Sequence, residues 1–245
     1  MKLKIAVAAG LLAVANTAMA EEMYFSARVG PTLGMYQQDA TFVIADADTG
    51  DVIVEGQSDD SWETAYGAQV GASAVYGNFF GDIGIEFLAV DSDADLDRTD
   101  VLVSLGYLIG QHWSAFVGYR KGMQGDGFFD DDTFNESGFF LGAGIGGVEV
   151  GDFVVGSSLA YNFSEAKDFP FEGEEFDYEG ISFKLSGSLK SMPQHSLQFR
   201  YQRFTGDSSD VQPVDVDGDG VPDGNLRLDV DLTESYMQLT YLYSF

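Results

Sequence analysis

The last thirteen residues, Thr233 to Phe245, constrain the chain most, because they alternate two classes of side chain without a break up to the carboxyl terminus. Met237, Leu239, Tyr241, Tyr243 and Phe245 share one face, and Tyr236, Gln238, Thr240, Leu242 and Ser244 share the other. A period of two fits and a helical period of 3.6 does not, so the segment is a strand. Its apolar face ends in three aromatic residues, with no polar residues after them to keep such an edge from pairing with another chain. One way to cover this face is the core of a soluble sandwich, and the rest of the chain has to show whether that applies.

At the other end, Lys2 and Lys4 precede an apolar run from Ile5 to Val14, and Ala18-Met19-Ala20 offers small residues of the kind a signal peptidase accepts. Residues 1–20 therefore read as a secretory signal peptide, and 21–245 as one domain by length. No later stretch approaches ~20 uninterrupted apolar residues, which excludes transmembrane helices. Cysteine is absent, so no disulfide is needed in an oxidising compartment.

Between these ends the pattern repeats. Strands are expected at 23–33, 63–76, 79–90, 98–109, 112–123, 137–150, 153–164, 179–190, 195–206 and 233–245. Four connections are short, at Gly77-Asn78, Gly110-Gln111, Gly151-Asp152 and Ser191–Gln194, and five are long, at 34–62, 91–97, 124–136, 165–178 and 207–231. Short and long alternate without exception, and each strand is long enough to cross a bilayer at a tilt of ~45°. The fold class read from this is all-β: a transmembrane, antiparallel, up-and-down β-barrel of ten strands, with eight as the competing count. Hydrocarbon offers backbone groups no partner, so the first and last strands must pair.

The ending Tyr241-x-Tyr243-x-Phe245 resembles the final strand of Gram-negative outer-membrane β-barrel proteins. By architecture the resemblance, to the small OmpA-type and porin-like barrels, spans the whole mature chain. It implies a location in the cell outer membrane, contact with membrane lipid and lipopolysaccharide, and recognition of Tyr241, Tyr243 and Phe245 by the barrel-assembly machinery as an assembly signal.

Alternation also assigns faces. Val103, Leu105, Trp113, Val117, Leu159, Phe183 and Leu197 are expected to meet lipid, with Tyr76, Phe79, Trp113, Phe153 and Phe245 in an interfacial girdle near the short turns. The lumen is expected to hold Arg28, Asp82, Glu86, Asp100, Arg120, Lys184 and Arg200, with Gln69, Gln198 and Gln202. Charges of both signs in a narrow barrel pair with one another and fill it. The alternative is a narrow pore for small solutes, which the inward glycines and serines from Gly142 to Ser188 would leave room for.

Thirty of the 40 acidic residues fall in the five long loops, against Lys167 and Arg227 as basic residues there. The loops read as an acidic external crown, a surface suited either to a salty medium or to a cationic or cation-bridged partner, and unsuited to nucleic acid. Within the last loop, Asp215, Asp217, Asp219 and Asp223 alternate around glycines, with the Val221 carbonyl as a further oxygen. This spacing can wrap a hard cation and looks like the calcium loop of EF-hands and thrombospondin type 3 repeats, which implies Ca2+ as a ligand. It departs from the EF-hand at the twelfth position, Leu226, while Asp229 is a candidate for the thrombospondin-type pattern.

No enzyme is expected. The glycines Gly142, Gly144 and Gly147 lie within a strand with no helix after them. His112-Trp-Ser114 has the His-x-Ser spacing seen in outer-membrane lipid A deacylases, and omptin proteases share the ten-strand count. Both histidines, His112 and His195, nevertheless fall beside short turns, at the end of the barrel opposite the outer rim where such chemistry would sit.

Overall fold

The computed structural model describes residues 23–57, 61–91, 97–124, 134–167, 175–214 and 224–245. The expected signal peptide and Asp215, Asp217, Asp219, Val221 and Asp223 lie outside the described residues. Among the described residues there are eleven strands: β1 Met23–Asp46, β2 Val52–Gln57, β3 Glu63–Tyr76, β4 Phe79–Val90, β5 Arg98–Ile109, β6 Trp113–Gln124, β7 Phe134–Val150, β8 Phe153–Lys167, β9 Glu175–Leu189, β10 Met192–Val214 and β11 Gly224–Ser244. Each pairs antiparallel with its neighbour, and β11 pairs with β1, so ten strands close a barrel; β2 folds back on the outer part of β1.

Register fixes the shape of the barrel. Stepping across the ladder from Arg28 through Gly71, Gly84, Leu102, Arg120, Gly138, Ser164, Tyr178, Gly206 and Leu232 returns to β1 at Ala40, a shear of twelve residues (40 − 28). With a rise of about 3.3 Å per residue and about 4.8 Å between strands, that shear sets a tilt of about 40° and a backbone radius of about 10 Å. Such a bore is narrow enough for side chains to meet across it.

The short turns are built as expected. Gly77, Gly110 and Gly151 adopt φ of 58°, 68° and 60°, the left-handed region that tight hairpin turns require. The exterior is apolar: Leu105 is 67% exposed, Phe139 65%, Phe79 64% and Trp113 59%. A continuous apolar belt on a closed barrel is stable only against lipid. The girdle residues Tyr76, Phe153 and Phe245 are exposed at the end that carries the short turns.

Two expected long loops are largely strand. The stretch 34–62, expected to be a loop, continues β1 to Asp46 and returns as β2, and most of 207–231 extends β10 and β11 to the pair Val214 and Gly224. The physical reason is that apolar alternation marks a strand only where one face meets lipid, while the ladder itself needs no such pattern once both faces are wet. The β1–β11 ladder runs on to Asp46 opposite Leu226, ten residues beyond Tyr36, which at this tilt carries the sheet roughly 25 Å outward. At the tip, the Asp46 carboxylate accepts hydrogen bonds from the backbone N–H groups of Thr49 (2.8 Å) and Asp48 (2.9 Å). Those two bonds, Thr49 first, hold its pKa below the usual carboxylate range.

Closure is completed by the last residue. The Phe245 N–H donates to the Ala27 carbonyl at 2.9 Å, and the Ala27 N–H donates to the Phe245 carbonyl at 3.0 Å. Deleting Phe245 removes both bonds and a girdle ring from the seam. We expect the heat-modifiable, folded form in membranes to fall several-fold relative to the full chain; equal abundance would show that these bonds are dispensable for closure.

Candidate functional site in the lumen

The inward-facing residues form two layers. In the outer half, Arg98 at the start of β5 donates through Nε to Asp100 at 3.0 Å, through Nη2 to Glu136 at 2.5 Å, and through Nη1 to Glu234 at 3.3 Å and the Tyr236 hydroxyl at 2.6 Å. Arg120 on β6 donates to both Asp100 oxygens, at 3.2 and 3.3 Å, and lies 2.9 Å from Glu136. Three tyrosines complete the shell of Glu234: Tyr36 donates at 3.0 Å, Tyr236 at 3.1 Å, and Tyr178 also donates to it. The Gln38 amide donates to Glu234 and the Gln124 amide to Tyr36. The bonds join β5, β6 and β7 to β1, β9 and β11 on the opposite wall, so the cluster spans the bore.

Its members are sealed from solvent, with Arg98 3% exposed, Arg120 and Glu136 1%, and Glu234 0%. Packed around them are Ala65, Val90, Ala166, Phe204 and Leu232, and the Arg120 guanidinium lies over the Phe204 ring at 4.2 Å. Burying ions in a dry site is costly unless each charge is met by an opposite charge and by hydrogen bonds. Arg98 has both on every side.

Below it, towards the short turns, Arg28 grips Asp82 with two bonds of 2.6 and 2.8 Å, and Arg200 Nη2 lies 2.8 Å from Glu86 across the barrel. Lys184, on β9, shares this layer and lines a cavity of ≈ 120 Å³ with Ser158, Ser182, Ser186, Asn162 and Phe116. Gln69 Oε1, Gln198 Nε2 and both amide atoms of Gln238 are buried without a protein partner. Gln69 lines the same cavity, where water can satisfy its carbonyl.

The structure thus brings Asp100 and Arg120 into the outer layer, and Arg28, Asp82, Glu86, Lys184 and Arg200 into the inner one. Sequence reasoning missed Arg98, Glu136, Glu234, Tyr36 and Tyr178, and put Tyr236 on the inward face of the last strand without a role. Glu136 and Tyr178 counted as loop residues, as did Tyr36; the signal that locates them is parity, since each is an even number of residues from an inward residue on its own strand. Tyr241, Tyr243 and Phe245 point outward on β11 and beyond it, 41%, 42% and 57% exposed. Asp229, a candidate calcium ligand, sits on β11, where it accepts from Ser209 at 2.6 Å and from Arg227 at 2.9 Å. No cluster of metal-ligating residues occurs among the described residues. His112 contacts the Gly146 carbonyl and His195 the Tyr241 hydroxyl, both beside short turns.

An apolar belt outside, a charged filling inside and a closed ladder between them leave one class. The protein is an outer-membrane β-barrel. No family model matches the chain, and no curated protein matches it. Among solved structures it is similar to the outer-membrane protease OmpT from Escherichia coli, with 10% identity over 94% of this chain and 100% of that one and a TM-score of 0.48. It is also similar to a Pseudomonas aeruginosa FadL homologue (10% identity, 89% and 90% covered, TM-score 0.29) and to the translocator domain of the autotransporter NalP from Neisseria meningitidis (16%, 87% and 88%, 0.27). At these values no activity passes from them to this barrel.

Proposed function

We propose that the protein is a non-enzymatic surface barrel, structural or adhesive, whose lumen is plugged and whose working surface is its acidic outer end. The observation that supports this most directly is the Arg98 cluster: five buried charges and three tyrosine hydroxyls joined across the bore occupy its outer half. A narrow channel is the second reading. The cavity beside Lys184 and its serine-lined wall favour it, because they leave room for water below the plug. Conductance in a planar bilayer separates the two. The expected result is silence at physiological salt; discrete openings would establish the channel instead.

On this reading the outer surface acts through charge. Acidic residues next to anionic lipopolysaccharide repel it unless divalent cations bridge the two or salt screens them. A calcium ion held by Asp215, Asp217, Asp219, Asp223 and the Val221 carbonyl would relieve the same repulsion within the last loop, and would offer a cation-bridged partner a fixed point. Calorimetry should then show saturable calcium binding in the micromolar to millimolar range of weak and extracellular sites. Asp217→Ala/Asp219→Ala should lose it. Identical binding by the wild type and the double variant would reduce the loop to one part of a diffuse acidic surface.

A further inference from the structure

The inner layer of the lumen contains three cations, Arg28, Lys184 and Arg200, and two carboxylates, Asp82 and Glu86. Asp82 is occupied by Arg28 and Glu86 by Arg200. Among the described residues, no carboxylate forms an ion pair with Lys184 and no side-chain hydrogen bond reaches its ammonium. Register makes this less comfortable, because Lys184 on β9 stands directly opposite Arg200 on β10. Like charges facing each other on adjacent strands are destabilising unless something of opposite sign lies between them.

The surroundings are those of an anion site. Arg200 is 4% exposed and its Nε has no partner. Ser158 stands opposite Lys184 on the other flank, on β8, and Ser182 and Ser186 are two residues to either side of it on the same face. All of them line the ≈ 120 Å³ cavity, a space for about four waters, or for one small ion and its nearest waters. We propose that this cavity binds a small monovalent inorganic anion of halide size between the Lys184 ammonium and Arg200 Nε, with serine hydroxyls as further donors. Within this layer three cations face two carboxylates, a local excess of one positive charge beside the cavity that the extra carboxylate of the outer cluster offsets only over the lumen as a whole. The outer cluster, with two arginines against three carboxylates, repels an anion, so the site belongs to the periplasmic half of the lumen.

The inference goes beyond the reading of a plugged surface barrel and does not depend on it, since conductance and anion occupancy are read separately. The test uses the full barrel in detergent, crystallised in bromide, with anomalous diffraction locating the ion. The wild type should show a lumenal bromide within hydrogen-bonding reach of Lys184 and Arg200, absent in Lys184→Met and kept in Lys184→Arg. In solution, replacing gluconate by bromide at constant ionic strength should raise the thermal midpoint of the wild type saturably and leave that of Lys184→Met flat. Should Lys184→Met fail to fold, Lys184→Gln takes its place. A wild-type lumen without bromide, a peak of equal height in the neutral variant, or the same bromide dependence in both would each overturn the proposal.

Discussion

Replacing Arg98 by methionine should cost the barrel about 3–5 kcal/mol, because it removes one member of a buried ionic cluster and leaves the others uncompensated. Methionine keeps the apolar stem of the side chain but ends near the position of Nε, so the charge, the hydrogen bonds and the guanidinium contact with Tyr236 are lost together. Asp100 and Glu136 would then keep Arg120, and Glu234 would keep only its tyrosine and amide donors, in a layer where Glu136 is 1% and Glu234 0% exposed. Urea unfolding in lipid vesicles reads the effect directly. The second variant that gives the measurement its meaning is Arg98→Met/Glu234→Gln, which removes one negative charge together with the positive one. Its loss should be smaller than the two single losses added, since neighbours in one network do not add independently. If Arg98→Met costs less than about 1 kcal/mol, the level of an exposed pair, the cluster is not what holds the outer half of the lumen together. A loosened cluster should also admit ions, so this variant is where conductance should first appear.

How much of this was legible in the sequence depends on which side of the wall a residue faces. Lipid imposes a strict requirement on the outward positions, and Leu105, Trp113, Val117 and Leu159 announce their strands through it. The inward face carries no such rule. Arg120 and Asp100 read as inward only because they alternate with outward Tyr119 and Val101. Where the outward residues turn polar, above the bilayer, the same logic has nothing to hold on to. Glu136 is followed on β7 by Ser137 and Gly138 before Phe139, and Tyr36 is flanked by Met35 and Gln37, so both read as loop residues although their side chains join one cluster in the lumen. The tall β1–β11 ladder was hidden for the same reason: its outer part is held by backbone bonds, which any sequence without misplaced prolines can make. Charge pairing across the bore was beyond reach altogether, because it depends on the shear of the closed barrel, which no single strand records.

The seam between β1 and β11 supplies the most severe test of that closure. Paired residues run from Arg28 with Ser244 and Val29 with Tyr243 directly to Thr32 with Thr240, passing over Gly30 and Pro31. Pro31 has no N–H to give to the ladder, and proline is otherwise confined to edges and bulges. At Gly30 the two backbones approach so closely that a Cβ would lie 1.6 Å from the Tyr241 carbonyl oxygen and 2.7 Å from its carbon. Neither atom belongs to a flexible side chain, so the methyl of alanine can be accommodated only by parting the strands. Parting them here breaks the one contact that turns an open sheet into a barrel, and in lipid an open edge has no other partner. Gly30→Ala should therefore lose most of its folded, heat-modifiable form on refolding into detergent or lipid. Gly84→Ala is the matched control: it also faces the lumen, but its nearest neighbour would be Arg28 Nη2 at 3.5 Å, an ordinary contact with the end of a long side chain. It should fold to the wild-type yield. Gly67→Ala, whose Cβ would come within 1.7 Å of the Phe87 carbonyl oxygen inside the β3–β4 hairpin, separates the two causes of failure. Crowding alone would make Gly67→Ala as damaging as Gly30→Ala, whereas closure as the limiting step predicts that the seam variant is the worse. Wild-type folding of Gly30→Ala would show that the seam relaxes more readily than its geometry allows.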